Sequence, residues 1–180
     1  MKLLLIDKDQ TLVESTNPNG FVNKAEEQVI KKGADDLIKD YLFRDYLIYV
    51  VSNQGGIAKG CKTLVDACDE MIYCNNLFPA IKAFLFCPDQ WQSKGDICWL
   101  WDVNHPHLVK HNRDRFSVYG YRKPNPGMLL LAHDLASENN NCHFDEIVMI
   151  GDRDTDMQAA EAASVVLKRK IVYKDINTLI

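Results

Sequence analysis

Short apolar runs alternate with amphipathic stretches along this chain. Four runs have the pattern of strands buried on both faces, residues 3–6, 46–51, 83–86 and 146–150, and residues 165–173 supply a further strand. Helical patterns cover residues 24–43, 60–76 and 155–163, and another helix begins near Met128. Strands that alternate with helices predict parallel pairing through right-handed crossovers. We therefore expect an α/β fold, a Rossmann-like, doubly wound parallel sheet with helices on both faces and no large cap domain.

The chain length favours one domain over residues 1–180. Its 180 residues are 47% hydrophobic and 26% charged, which is typical of soluble globular proteins. Between Cys87 and Tyr121 the periodicity is lost, so we interpret residues 87–121 as a loop insertion. Asn17-Pro18-Asn19-Gly20 predicts a turn or flap.

Composition argues against several classes of protein. The net charge of −4 does not suit a polycation that coats nucleic acid or acidic lipid. The six cysteines are scattered, which favours free thiols in a reducing compartment, and we expect Cys61 and Cys68 in the core. The first apolar run stops at Asp7, too early for a signal peptide, and no run approaches the roughly 20 residues of a spanning helix. We expect a cytoplasmic protein with no membrane partner; the sequence is silent on oligomeric state.

Polar side chains follow the predicted strands. Asp7 and Asp9 come after the first run, residues 52–56 after the second, and Asp152 after the fourth. In open α/β sheets ligands bind beyond the carboxyl ends of the strands. We therefore expect these side chains to share one site.

Several aspartates are predicted at that site. Asp152, Asp154 and Asp156 leave the fourth run, opposite Asp7 and Asp9. Carboxylates brought together without a cation would raise each other's pKa values, so a divalent metal is the simplest partner. Oxygen ligands favour Mg²⁺. A single aspartate could instead cap a helix or turn, which is our interpretation of Asp154.

Four ordered motifs resemble those of haloacid dehalogenase (HAD) superfamily phosphatases, and more narrowly the histidinol-phosphatase and heptose-bisphosphate phosphatase subgroup. The motifs span nearly the whole chain, at residues 7–12 (DKDQTL), 51–54 (VSNQ), 122–128 (RKPNPGM) and 151–157 (GDRDTDM). Gln10 stands where the family usually has glycine, which leaves the exact turn open.

The resemblance implies roles for the residues of these motifs. Asp7 would be the nucleophile that forms an aspartyl-phosphate, and Asp9 the general acid and base. Ser52 would hydrogen-bond the transferring phosphoryl group, and Lys123 would offset its charge. Asn53 and Arg122 would contact the substrate.

The resemblance also implies a magnesium site. Its ligands would be a carboxylate oxygen of Asp7, the backbone carbonyl of Asp9 and the side chain of Asp152. Asp156 would ligate the ion or orient its ligands.

The insertion departs from the related proteins. They often carry a zinc loop, Cys-x-His followed by Cys-x-Cys before Arg-Lys-Pro, whereas this chain has Cys87-Pro88-Asp89 and Tyr119-Gly120-Tyr121. A zinc site built from other residues is an alternative, and its ligands would be Cys87, Cys98, His105 and His107. Because their spacing is irregular, we favour packed thiols and a protein that depends on Mg²⁺.

The insertion is also basic and aromatic. Residues 105–123 hold five Lys or Arg and one acidic residue, and all three tryptophans of the chain lie within the insertion. We expect Arg113 and Arg115 to bind substrate together with Arg122. The alternative for the tryptophans is a small core of their own.

These observations favour a magnesium-dependent phosphomonoesterase acting on a small phosphorylated sugar or metabolite. Because the predicted site is open and the insertion basic, one alternative is a phosphatase of nucleotides or nucleic-acid 3′-phosphate ends, so a nucleic-acid partner is possible but not favoured. Another is a phosphate-binding regulator without activity, although such proteins should lack Asp7 or Asp9, and this chain has both.

Overall fold

A computed structural model describes residues 1–89, 94–104, 107–112 and 114–180. The strands are β1 (Lys2–Ile6), β2 (Val13–Ser15), β3 (Gln28–Ile30), β4 (Tyr46–Asn53), β5 (Ala83–Cys87), β6 (Cys98–Asp102), β7 (Leu108–His111), β8 (Glu146–Gly151) and β9 (Ile171–Asp175). The α-helices are α1 (Ala34–Phe43), α2 (Leu64–Leu77), α3 (Gly127–Asn140) and α4 (Asp154–Leu167).

The main sheet has seven strands in the order β7-β6-β5-β4-β1-β8-β9. Strand β1 lies between β4 and β8 and pairs in parallel with both, so Ile6 is level with Val50 and Ile150. After β1 the chain adds strands β4 to β7 on one side, and it then reverses direction across the sheet to add β8 and β9 on the other side of β1. This reversal leaves a crevice at the carboxyl ends of β1, β4 and β8.

Both faces of the sheet are covered by helices, as predicted. One core packs Leu4 and Ile6 of β1 against α1 and α2, and the other packs Leu3 and Leu5 against α3 and α4. Because successive side chains of a strand point to opposite faces, a strand buried on both sides is continuously apolar. The α/β prediction is confirmed, and the sheet is mostly parallel.

The insertion is not an irregular loop throughout, which corrects that prediction. Strand β6 pairs antiparallel with β5, and β7 pairs antiparallel with β6, so the hairpin extends the main sheet. Trp101 is buried against Phe84, with ring centroids 5.7 Å apart. Trp101 therefore belongs to the main core rather than to a separate small one; Trp91 lies outside the described residues.

Three predicted boundaries are wrong for local reasons. Residues 24–33 do not form an α-helix, because residues 25–27 make a short 3-10 helix and residues 28–30 pair with β2. Helix α2 begins at Leu64, where the Thr63 hydroxyl caps it, which leaves Cys61 exposed rather than in the core. Residues 165–167 end α4 instead of starting a strand, and Lys168 closes that helix at a φ of 52°.

A small flap stands between β1 and α1. It consists of the antiparallel pair β2–β3 and the connecting residues 16–27. The backbone N–H of Gly20 donates to the Asn17 carbonyl, which forms the predicted turn. The flap leaves β1 through Gln10, whose φ of 63° lies in the left-handed region that favours glycine.

The backbone at Gln10 predicts the effect of two substitutions. We expect Gln10→Val to lower the free energy of unfolding by about 1–2 kcal/mol, because a β-branched side chain is strained at positive φ. Gln10→Gly should not lower it. Urea unfolding of both variants measures the difference, and equal losses would contradict the conformation described here.

Candidate active site

A cavity of about 580 Å³ opens at the carboxyl ends of β1, β4 and β8. Most of the residues that the sequence predicted for the site line it: Asp7, Asp9, Ser52, Asn53, Arg122, Lys123 and Asp156. They come from distant parts of the chain and meet because parallel strands end at the same edge of the sheet.

The ammonium group of Lys123 lies at the centre of the site. Its Nζ is 2.7 Å from Oδ1 of Asp7, 2.6 Å from Oδ1 of Asp156 and 2.7 Å from the carbonyl oxygen of Val51. Lys123 is buried, so these three acceptors replace its hydration. It therefore neutralises part of the acidic cluster and fixes the Asp7 carboxylate.

Asp7, Asp152 and Asp156 form the predicted acidic cluster. Each offers one carboxylate oxygen, and these oxygens lie within 4.8 Å of one another. Gly151 makes room for the cluster, because a Cβ at that position would lie 2.3 Å from Oδ2 of Asp156. Oδ1 of Asp152 is buried without a hydrogen-bond partner among the described residues. An unpaired buried carboxylate oxygen beside two other carboxylates suits a hard cation such as Mg²⁺.

Both carboxylate oxygens of Asp9 accept hydrogen bonds. Lys8 Nζ lies 2.5 Å from Oδ1, and Gln54 Nε2 lies 2.8 Å from Oδ2. The same Gln54 nitrogen donates to Oγ of Ser52 at 2.8 Å. Gln54 thus sets the positions of two predicted site residues at once.

Asn53 lines the cavity, but its amide bonds to the protein. Its Nδ2 donates to the Lys123 carbonyl at 2.9 Å, and its Oδ1 accepts from the Lys123 N–H at 3.0 Å. Asn53 therefore holds the backbone that carries Lys123. Arg122 also lines the cavity, where its Nη1 donates to the Asp89 carbonyl at 2.6 Å.

One of the two other arginines predicted to bind substrate, Arg115, is not brought into this site. Arg115 does not line the cavity, since its guanidinium pairs with Asp134 on α3. Arg113 lies outside the described residues.

The zinc alternative does not fit the register of the hairpin. Cys87 and Cys98 are buried at the edge of the sheet that holds the cavity, and Cys98 pairs with His111. His107 precedes β7, beyond the Trp101–Leu108 pair. At about 3.3 Å per residue, His107 is roughly 10 Å or more from Cys98 along the strand, too far for one zinc ion. His105 lies outside the described residues.

Several side chains of the site were not predicted from the sequence. They are Lys8, Gln54, Lys59, Lys62, Glu70 and Arg153. One signal was available for Glu70, because it falls between Ala67 and Cys74 on the buried face of α2. A charge on an apolar helix face requires a buried partner.

Several known proteins are similar to this chain in sequence. The profile of the HAD-hydrolase-like family matches residues 120–166. D-glycero-D-manno-heptose-1,7-bisphosphate 7-phosphatase of Chlorobaculum tepidum is 28% identical over 165 residues, which cover 91% of this chain and 75% of the relative. The D-glycero-beta-D-manno-heptose-1,7-bisphosphate 7-phosphatase of Escherichia coli K12 is also 28% identical, over 90% of this chain and 74% of its own.

In sequence, this chain is similar to hydrolases of the HAD superfamily. The family resemblance and the predicted enzyme class, a phosphoric monoester hydrolase, are confirmed.

A solved structure supports the fold of this chain. D,D-heptose 1,7-bisphosphate phosphatase from B. bronchiseptica, complexed with magnesium and phosphate, aligns with a TM-score of 0.64 and 17% identity. The alignment covers 99% of this chain and 96% of that one. Among the described residues, none of the helices is both long and apolar enough to span a bilayer.

Two aspartates of the site have opposite pKa shifts. Burial raises the pKa of Asp7 to about 7, although Lys123 opposes the shift. Burial also disfavours the charged form of Asp9, but the ammonium groups of Lys8 and Lys62 outweigh it and lower the pKa of Asp9. Burial raises the pKa of Asp152 as well. Without a metal, Asp7 is therefore partly protonated near neutral pH while Asp9 is ionised.

The raised pKa of Asp7 predicts how stability depends on pH. Between its unfolded value near 3.8 and about 7, folded Asp7 binds a proton that the unfolded chain has lost. The free energy of unfolding in EDTA should therefore fall as pH rises through this window, by up to about 1.4 kcal/mol per pH unit from Asp7. Urea unfolding from pH 4.5 to 7.5 measures the slope. The difference between the wild type and Asp7→Asn isolates this group, and an identical slope in both proteins would contradict the assignment.

Proposed function

We propose that this protein is a Mg²⁺-dependent phosphomonoesterase that forms an aspartyl-phosphate on Asp7 and acts on a small phosphorylated sugar. The observation that carries the proposal is the position of Asp7, whose carboxylate lies in the cavity within reach of Lys123 and of two further carboxylates. This arrangement suits a nucleophile next to both an anion-binding cation and a metal site.

Magnesium fits the residues present. Asp7 and Asp152 would hold the ion together with the Asp9 carbonyl, and Asp156 would hold or orient it. The unpaired Oδ1 of Asp152 supports this assignment. When bound, Mg²⁺ would offset charge on the phosphoryl oxygens and favour the ionised form of Asp7.

The first chemical step belongs to Asp7. Its carboxylate attacks phosphorus, the bond from phosphorus to the leaving oxygen breaks, and an acyl phosphate forms. Lys123 and the Ser52 hydroxyl stabilise the charge on the transferring group. Because Lys123 already bonds to Asp7 in this structure, little rearrangement is needed for it to act.

Asp9 serves as acid and then as base. It gives a proton to the leaving oxygen and later takes one from the water that hydrolyses the acyl phosphate. Its lowered pKa suits the second step, in which it must be ionised. For the first step, an ester that binds as its monoanion supplies the proton, which Asp9 accepts from the phosphoryl group and passes to the leaving oxygen.

The substrate class is supported by the relatives and by the charge of the cavity. The curated relatives described above are named as phosphatases of a heptose bisphosphate. Beyond Lys123, the cavity is lined by the cations Lys59, Arg122 and Arg153. These can bind a second anionic group of a small substrate. The nucleic-acid alternative relied partly on Arg115, which pairs with Asp134 outside the cavity.

A phosphate-release screen tests the proposal. With Mg²⁺ present, we expect faster hydrolysis of sugar phosphates and bisphosphates than of histidinol phosphate, nucleotides and 3′-phosphorylated oligonucleotides. EDTA should abolish this activity. Asp7→Asn should lower kcat by more than about 10³-fold, because an amide cannot act as the nucleophile. The fold should persist, since Lys123 keeps Asp156 and the Val51 carbonyl as partners.

The matched control is Asp154→Asn in the motif at residues 151–157, where the carboxylate is exposed. This variant should keep wild-type activity. A folded Asp7→Asn enzyme with near-normal turnover would refute the covalent mechanism.

The acid role of Asp9 predicts a dependence on the leaving group. Asp9→Asn should lower kcat for an alkyl phosphate by about 10²–10⁴-fold. The first step with p-nitrophenyl phosphate should be affected less, because nitrophenolate leaves without a proton. Single-turnover formation of the acyl phosphate separates this step from its hydrolysis. Equal defects for both esters in that step would exclude proton donation by Asp9.

A further inference from the structure

A buried ion network lies below the cavity and consists of Lys8, Lys62 and Glu70. The Glu70 carboxylate accepts from Lys8 on Oε2 at 3.2 Å and from Lys62 on Oε1 at 2.6 Å. The Lys8 and Glu70 side chains are fully buried, and that of Lys62 is 4% exposed. One carboxylate therefore holds two ammonium groups away from water.

The network is joined to Asp9. Lys8 donates to Oδ1 of Asp9 as well as to Glu70 and to Oε1 of Gln28. These three acceptors use all three N–H groups of the ammonium, so its position is fully determined. If Glu70 lost its charge, Lys8 would lose one of the two carboxylates that hold it.

The network is also joined to the flap. Lys62 Nζ donates to the carbonyl of Val22 at 3.0 Å. Gln28, at the start of β3, accepts from Lys8 and donates through Nε2 to the Glu70 carbonyl at 3.1 Å. Val22 lines the cavity, so the flap is fixed at two points by the same three charged residues.

Stability alone does not explain this arrangement. Buried ion pairs are often no more stabilising than apolar residues of the same volume, because desolvation offsets the Coulomb attraction. The apolar neighbours of Glu70 on α2, Ala67 and Met71, show that an apolar side chain would suit this helix face. The retained charges instead connect two parts of the site.

We propose that Glu70 is a positioning residue, which sets the Asp9 carboxylate through Lys8 and holds the flap against the cavity through Lys62. The part that concerns Asp9 rests on the function proposed above. The part that concerns the flap does not depend on any activity.

Glu70→Gln tests the proposal, because the amide keeps the shape of the side chain but cannot pair with two ammonium groups. We expect the single-turnover rate of acyl-phosphate formation to fall about 10–100-fold for an alkyl phosphate and less than about threefold for p-nitrophenyl phosphate, since Asp9 donates a proton only to the former leaving group. A merely structural defect would lower both by the same factor. The matched control is Asp69→Asn, the adjacent exposed acid on α2, which should leave both values unchanged.

Amide hydrogen exchange provides a readout without activity. In Glu70→Gln the amides of residues 16–27 should exchange about tenfold faster, including Thr16, whose N–H donates to the Glu27 carbonyl. Amides of β1 and β4 should keep wild-type rates. A folded Glu70→Gln protein with wild-type flap exchange and a wild-type ratio of the two rates of acyl-phosphate formation would overturn the proposal.

Two further outcomes are separable. If the wild-type enzyme hydrolysed no phosphate ester, the proposed function would fail, and flap exchange would still decide whether Glu70 holds the flap. If Glu70→Gln did not fold, Glu70→Asp would replace it, because its shorter carboxylate cannot reach both lysines. Smaller changes of the same sign would support the proposal, and wild-type behaviour would overturn it.

Discussion

The contact between the Lys123 ammonium and the carboxylates of Asp7 and Asp156 is the constraint on which the site depends. Three carboxylates at one edge of a sheet repel each other, and burial makes each charge more costly. A buried cation among them allows the strands to end in acidic residues. Asn53 fixes the backbone of that lysine, and Gly151 leaves the space into which Asp156 fits. This arrangement therefore allows a cluster of buried carboxylates to stand at the end of an apolar sheet.

Two aspartates separated by one residue acquire different chemistry from their surroundings. Asp7 is surrounded by other carboxylates as well as Lys123, and Asp9 by Lys8 and Gln54. Environments that move two pKa values in opposite directions are a general way to divide roles between identical side chains. Here the different partners of the two carboxylates create the division. Lys8, between them, is directed into the interior, where Glu70 receives it.

Strand positions could be predicted wherever burial on both faces leaves a continuous apolar run, as in β1, β4, β5 and β8. The β6–β7 hairpin was not predicted, because residues 103–107 lack a recognisable two-residue turn signal and the strands are at the edge of the sheet. Likewise, the motifs predicted Asp7, Asp9 and Lys123 at one site. The partners of Lys8 could not be predicted, since Gln28 and Glu70 approach it only through tertiary packing.

The antiparallel hairpin also places different parts of the insertion at different distances from the cavity. The end of β5, the start of β6 and the end of β7 lie at the edge of the sheet that holds the cavity, whereas the end of β6 and the start of β7 lie at the opposite edge. Trp101 anchors the hairpin in the main core between these two regions. Evolution can therefore alter the lengths of the segments beside the cavity, and with them substrate preference, without disturbing the packing of the hydrolase. The connection between β6 and β7 can vary in sequence independently of these segments.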